Sequence, residues 1–241
     1  MWQGQRVSVV LPAYNEEDSI RSAVESFFVS DVVDEVVVVD NNSTDSTAAE
    51  AAATRARLVT ETTQGYGAAL RRGLREATGD LIILAEPDAT FMGKDVLKLL
   101  AYADDFDLVC GTRTTRELIW AEANMGWFLR VGNVIVAKML QVLFNTCSLS
   151  DCGCTLRLVK RERLIRFRDK LTVRGSHFLP EMVILAHQHG LSIIEIPVNY
   201  RGRSGTSKIT GTLKGTLKTG TNMIKLIVGY RLSHASARRP Q

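Results

Sequence analysis

The sequence predicts an α/β fold with a mostly parallel central sheet and helices on both faces. Two observations carry this expectation. Short β-branched apolar runs alternate with segments of helical apolar spacing through the first half of the chain, which is how strands alternating with crossover helices read. The runs are continuously apolar, as strands buried on both faces are. A third observation concerns function: several runs end in side chains capable of chemistry, and ligands in such sheets bind beyond the carboxyl ends of the strands.

Taken in order, Val7 to Leu11 is a buried strand stopped by Pro12. Asn15 follows as an expected helix N-cap, with Glu16, Glu17 and Asp18 at the positive end of the helix dipole. Ile20, Ala23, Val24, Phe27 and Phe28 form the apolar stripe of that helix. Glu35 to Asp40 is the clearest strand, followed by the turn Asn41 to Asp45 and an alanine-rich helix. Arg57 to Thr60 is a short strand, Tyr66 to Ala77 a helix between Gly65 and Gly79, and Asp80 to Ala85 a strand ending in Glu86-Pro87-Asp88. A helix over Lys94 to Ala103 and a strand over Asp107 to Cys110 complete the regular half. Beyond it the spacing predicts one or two helices over Leu118 to Phe144, a strand over Thr155 to Val159, a helix over Leu179 to His189, a strand over Ser192 to Pro197 and a basic amphipathic helix over Thr212 to Arg231.

Composition narrows the class. The 241 residues are 45% hydrophobic, which suits a globular chain with one sizeable core. No charged-then-apolar leader follows Met1, and the most apolar stretch, Val131 to Phe144, is interrupted by Lys138 and Gln141. The expected setting is the cytoplasm, with peripheral attachment to the inner membrane face as the form any membrane contact takes. The net charge is only +4, but from Arg201 onward there are basic residues and no acid. Such a tail attracts phosphate groups or an anionic bilayer. The tail's charges are not interleaved with aromatics, which argues against nucleic acid. Cys147, Cys152 and Cys154 lack paired zinc-ligand spacing and read, with Cys110, as buried thiols. His177, His187 and His189 have no evident catalytic partner.

The loop after the first strand, Pro12 to Glu17, has no glycine, which excludes a dinucleotide-binding fingerprint, and there is no Walker-type phosphate loop. The rim is acidic instead. Carboxylates accept hydrogen bonds from base N–H and ribose hydroxyls, and one or two of them hold Mg2+ or Mn2+ together with substrate phosphates.

The run Val9-Val-Leu-Pro-Ala-Tyr-Asn-Glu-Glu17, then Val38-Val-Asp-Asn-Asn-Ser-Thr-Asp45, then Ala77-Thr-Gly-Asp80 before an apolar strand and an acidic pair, resembles the family 2 glycosyltransferases. Within them the dolichol-phosphate mannosyltransferase group, which includes bacterial polyprenyl-phosphate enzymes, is the most similar. Cys110-Gly-Thr-Arg113, Ser150-Asp-Cys-Gly-Cys-Thr-Leu-Arg157, Glu195-Ile-Pro-Val198 and Arg203-Ser-Gly-Thr-Ser-Lys208 agree, so the resemblance covers about residues 6 to 210. It implies a GT-A fold and an inverting transfer from a nucleotide-diphosphate sugar, GDP-mannose or a UDP-hexose. Pro12, Ala13, Tyr14, Asn15, Glu16, Asp40, Asn42, Gln64, Glu86 and Pro87 would bind the nucleotide. Asp88 would be the principal ligand of Mg2+ or Mn2+, with Glu86 the second. Here the family's D-x-D reads Glu86-Pro87-Asp88, and Thr90 stands where the family often has Gln. The resemblance further implies that Arg113, Arg157, Arg203 and Lys208 face phosphates, which suits the geometry of guanidinium groups.

The acceptor decides whether a base is needed. A hydroxyl must lose its proton during attack, for which Asp151 and Glu181 are candidates. A lipid phosphate is already anionic and needs cations to hold it. The basic tail favours a polyprenyl phosphate at a membrane surface. A soluble hydroxyl acceptor, or a nucleotide-sugar-binding scaffold without turnover, stay open at this point. The expected organisation is a catalytic domain over 1–210 and a basic amphipathic helix and tail over 211–241.

Overall fold

The computed structural model describes residues 1–120, 123, 126–202 and 213–237. Seven strands form one sheet in the order β3-β2-β1-β4-β6-β5-β7. They are β1 (Val7–Ala13), β2 (Glu35–Asp40), β3 (Arg57–Thr60), β4 (Leu81–Leu84), β5 (Leu108–Thr112), β6 (Arg157–Lys160) and β7 (Ile193–Pro197). All neighbours are parallel except β6, which runs antiparallel between β4 and β5. The expected mostly parallel α/β sheet is therefore present.

Alternate residues feed two separate apolar layers, as the pleat of a strand requires. Val9, Leu11, Val36, Val38, Leu81 and Ile83 face one layer, with helices α1 (Ile20–Phe28) and α4 (Asp95–Leu100). Val10, Val37, Val39, Ile82 and Leu84 face the other. That second layer is covered by α3 (Tyr66–Glu76), α5 (Trp127–Phe144), α7 (Phe178–Gln188) and α8 (Leu213–Ala237). The short helices α2 (Thr47–Ala52) and α6 (Arg161–Leu164) complete the set. Because both faces are covered, β1, β2 and β4 are apolar at most positions, and this is why they read as nearly continuous runs. Gly73 lets α3 approach β1 and β2: a Cβ there would lie 2.1 Å from Val10 Cγ1.

Two local expectations are corrected. Asn15 does not cap α1, which begins at Ile20 after Ser19. Asn15 adopts φ 52°, and its Oδ1 accepts a 2.8 Å hydrogen bond from the Thr44 amide. In return Ser43 Oγ accepts from the Asn15 amide, and Thr47 Oγ1 from the Glu16 amide. The loops after β1 and β2 are thus laced together, and that demand outcompetes capping. The stretch expected to be helical from Leu118 begins as α5 only at Trp127; before it come a 3-10 turn (Arg116–Leu118) and a bridge between Ile119 and Tyr200.

The antiparallel β6 has a functional consequence. The first residue of β6, Arg157, pairs with Leu84 at the end of β4 and with Cys110 of β5. The segment entering β6, Asp151 to Leu156, therefore lies on the rim where β1, β2 and β4 end. Finally, α8 packs on α5 and α7 and contributes Met223 and Ile227 to the second layer.

Candidate active site

A cavity of about 280 Å³ opens beyond the carboxyl ends of β1, β2 and β4. Pro12, Ala13, Tyr14 and Glu16 come from the end of β1, and Glu86, Pro87 and Asp88 from the end of β4. Asn41, Gln64, Tyr66, Ala69, Gly175 and Ser176 complete the lining. The parallel register of β1 with β2 and β4 is what brings these separated segments to one rim.

Asn15, Asp40 and Asn42 are not among the lining residues; Asn41, between the last two, is. Asp40 is nearly buried at the end of β2, 3.4 Å from the Ser43 amide that it accepts. Asn42, itself outside the lining, donates to Thr62 O and to Oε1 of the lining residue Gln64. Asn41 is held by donating to the Glu61 and Thr63 carbonyls and accepting from the Gly65 amide. It links the β2 end to the loop before α3, a role the sequence reading missed although Asn41 stands beside both residues it named.

The acidic pair sits on the cavity floor. Asp88 is almost wholly buried, and its Oδ1 accepts from the amide and hydroxyl of Thr90, which fixes the carboxylate's direction. Ala89 turns the chain there through φ 62°, an uncommon conformation for a residue with a side chain. Glu86 accepts from Thr155 Oγ1 at 2.6 Å and from Tyr66 at 3.5 Å, and Tyr66 and Thr155 are themselves hydrogen-bonded. Burial, reinforced by the neighbouring Asp88 charge, pushes the Glu86 carboxyl up to about 7. Burial, and then Glu86, raise the Tyr66 hydroxyl well above its ordinary range. A buried Glu86 carboxyl whose ionisation is opposed by a neighbouring carboxylate suits a hard divalent cation, which relieves that opposition. Among the described residues no group of three or more His, Cys, Asp or Glu could hold a metal alone, so a cation here would need substrate phosphates to complete its shell.

A second cavity of about 320 Å³ shares Tyr66, Glu86 and Ser176 with the first. It passes Arg113, Gly153 and Tyr200 and runs between α5 (Leu129, Asn133, Ile135, Val136) and α8 (Thr216, Leu217, Gly220, Met223, Ile224). Arg113 stands at its inner end, held by Asp151 through Nε–Oδ2 at 2.8 Å and Nη2–Oδ1 at 3.0 Å, with its guanidinium 5.2 Å over the Tyr200 ring. Burial pushes the Asp151 carboxyl up, but the Arg113 guanidinium and its hydrogen bonds outweigh this and hold it below the usual carboxylate range. A carboxylate so engaged serves to aim Arg113; as a proton acceptor it is weak.

Two other expected site residues lie apart from both cavities. Glu181 is fully buried and accepts from Thr172 N and Oγ1, from Val173 N and from Tyr230 OH. It anchors the loop that carries Gly175 and Ser176, and the buried donors around it explain why an acid stands on α7. Arg157, 1% exposed, lines neither cavity and donates to the Leu179 and Cys154 carbonyls. Its position at the start of the central strand β6 buries it. Arg203 and Lys208 lie outside the described residues.

The loop from Arg174 to Ser176 was also missed. The Arg174 carbonyl accepts from the Gly67 amide at 2.7 Å, at the N-terminus of α3. The available signal was Gly65-Tyr66-Gly67: a Cβ at Gly65 would lie 2.4 Å from Arg174 O, and one at Gly67 2.6 Å from Val173 O. Both glycines are required by that close approach.

The β1, β2 and β4 ends surround an acidic cavity, and the loop after β1 carries neither the glycine-rich dinucleotide fingerprint nor a Walker-type phosphate loop. Comparison with known proteins agrees. The sequence model described as "Glycosyl transferase family 2" matches residues 8–167. An uncharacterized glycosyltransferase of Mycobacterium tuberculosis is 33% identical over 217 residues, covering 89% of this chain and 94% of that one. The dolichyl-phosphate hexose transferase of Haloferax volcanii is 28% identical over 228 residues, covering 94% and 96%. Among solved structures, glucosyl-3-phosphoglycerate synthase of Mycobacterium tuberculosis, crystallised with Mn2+, UDP and phosphoglyceric acid, superposes with a TM-score of 0.74 at 23% identity over 95% of this chain and 78% of that one. The fold is GT-A. The chain belongs to glycosyl transferase family 2, and it is a glycosyltransferase that takes its sugar from a nucleotide-sugar donor.

Proposed function

We propose that this enzyme moves a hexose, with inversion, from a UDP- or GDP-linked donor to a polyprenyl phosphate, assisted by Mg2+ or Mn2+. The observation that carries the reading is the apolar cleft between α5 and α8, which opens into the nucleotide cavity at Glu86 with Arg113 at the junction. The name of the Haloferax relative supports the acceptor class. The structurally similar glucosyl-3-phosphoglycerate synthase was crystallised with UDP and phosphoglyceric acid, so a soluble acceptor is the contrasting outcome.

The residues divide the work. Tyr14, Glu16, Asn41 and Gln64 line the nucleoside side of the cavity, and Asp88 and Glu86 would hold the cation, which when bound would supply charge neutralisation of the leaving diphosphate. An acceptor phosphate oxygen attacks the anomeric carbon opposite the diphosphate, the bond from that carbon to the diphosphate oxygen breaks, and the diphosphate leaves with the electron pair. The acceptor phosphate is anionic, so no proton has to be removed. That fits a junction at which Asp151 is committed to Arg113 and Glu181 lines neither cavity. Arg113 holds phosphate there by charge-assisted hydrogen bonds. The cleft's outer edge supports a peripheral membrane position. Among the described residues no helix is long and apolar enough to cross a membrane. However, Ile135 of α5 and Leu217 of α8, which line the cleft, are more than half exposed, and Lys214 and Lys218 flank Leu217 in sequence.

The test is an acceptor competition. Purified enzyme with Mn2+ and a panel of UDP- and GDP-hexoses is offered a detergent-dispersed polyprenyl phosphate and, separately, phosphoglycerate. Sugar recovered on the lipid phosphate is expected; transfer confined to the soluble hydroxyl compound would overturn the acceptor assignment.

A further inference from the structure

Glu195 lies on β7 and lines neither cavity, yet three donors converge on its carboxylate. Oε2 accepts from the Ser150 amide at 2.7 Å and from Ser150 Oγ at 2.6 Å, and Oε1 from the Asp151 amide at 2.9 Å. These bonds fix the backbone at the point where the Asp151 side chain turns toward Arg113. Asp151 then accepts from Arg113 Nε, Nη2 and the Arg113 amide, and from the Gly153 amide. Ser150 Oγ also joins Thr112 and Thr114, both 2.8 Å away, which brackets Arg113 from its own strand end. The guanidinium is thereby held through one edge, which directs the remainder toward the cleft it lines.

We propose that Glu195 is a positioning residue for the transfer: by clamping Ser150 and Asp151 it sets the direction in which Arg113 presents its guanidinium to phosphate at the junction of the two cavities. The phosphate part rests on the function proposed above; the clamping part does not. A carboxylate suits the place because all three neighbours donate. A glutamine there would turn an amide N–H toward a backbone N–H, so that one donor faces another. Aspartate keeps the charge but is one methylene shorter.

The experiment uses the full chain with Glu195→Gln, Glu195→Asp, Arg113→Ala and the Glu195→Gln/Arg113→Ala double variant, each first checked for a cooperative thermal transition. The Arg113 Nε–Hε signal in the NMR spectrum reports the clamp directly. It should be sharp and slow to exchange in the wild type, broadened or lost in Glu195→Gln and partly restored in Glu195→Asp. Calorimetry with farnesyl phosphate reports the consequence. Glu195→Gln should weaken binding about tenfold, the loss expected for one misdirected charge-assisted contact. UDP and GDP affinity should stay unchanged, and Glu195→Gln should have no further effect once Arg113 is alanine. An unchanged Arg113 signal in folded Glu195→Gln overturns the clamp. An equal loss of farnesyl phosphate affinity with and without Arg113 shows a merely structural role and also overturns it. A wild type that does not bind farnesyl phosphate, but whose Arg113 signal still responds to Glu195→Gln, keeps the clamp and counts against the polyprenyl acceptor instead.

Discussion

The two cavities that meet at Glu86 are made in different ways. The nucleotide side is lined mainly by residues within a few positions of a strand end, laced by hydrogen bonds between loops and fixed by sheet register. The acceptor side is a cleft between two helices, apolar for most of its length, with one ion-paired arginine at its inner end. A sheet rim places polar groups to within a hydrogen bond; a helix pair provides length and apolar area. A nucleotide needs the first and a long isoprenoid chain the second, so substitutions on the two sides should separate into distinct defects.

The largest separation is expected from Asp88→Ala. It should lower turnover about a thousandfold, the scale of losing a principal electrostatic stabiliser of the leaving group, while farnesyl phosphate affinity is unaffected. Steady-state rates with varied Mn2+ check this, and a loss of acceptor binding alongside would mean the two sides are not independent. Arg113→Ala should come next, with transfer to lipid phosphate about a hundredfold slower. It also leaves Asp151 buried without its ion-pair partner, which costs about 3 kcal/mol of stability. Denaturant unfolding beside single-turnover rates separates the two effects. A smaller effect is expected on the outer cleft: Leu217→Glu should reduce co-sedimentation with anionic vesicles roughly tenfold and leave nucleotide binding intact. Equal sedimentation would remove the outer helices from the membrane reading.

The smallest effect is one of pH. The unfolded Glu86 carboxyl ionises near 4.5, whereas in the native, metal-free protein it holds its proton up to about 7. Native protein therefore binds more protons than unfolded protein between those values, and stability must fall as pH rises through that window. The melting temperature in chelator should decline from pH 5 to pH 7.5, and Glu86→Gln should flatten the decline; a slope that survives the substitution would place its origin elsewhere.

The same contrast explains what was legible in the sequence. The regular half was readable because β1, β2 and β4 are buried along nearly their whole length and so write themselves as nearly continuous apolar runs. Glu35 to Asp40 and Arg57 to Thr60 keep their expected bounds. Pro12 is the penultimate residue of β1, Tyr14, Glu16, Glu86 and Asp88 follow strand ends closely, and the cavity draws them together. What failed to show depends on long-range pairing. Nothing local to Thr155 says that β6 turns antiparallel and sets its hydroxyl on Glu86. Nothing local to Arg157 or Glu181 distinguishes a phosphate ligand or a base from a group satisfying buried carbonyls and amides. Asn15 looked like a helix cap because its alternative partner, the Thr44 amide, lies on another loop.

The most direct test is calorimetric titration of the metal-free protein with UDP- and GDP-sugars, with and without Mn2+, in parallel with Asp88→Ala. The rim described here predicts one donor that binds to the wild type with Mn2+ and loses that metal-dependent gain in the variant. Binding that is indifferent to both Mn2+ and Asp88, or no nucleotide binding at all, would contradict it.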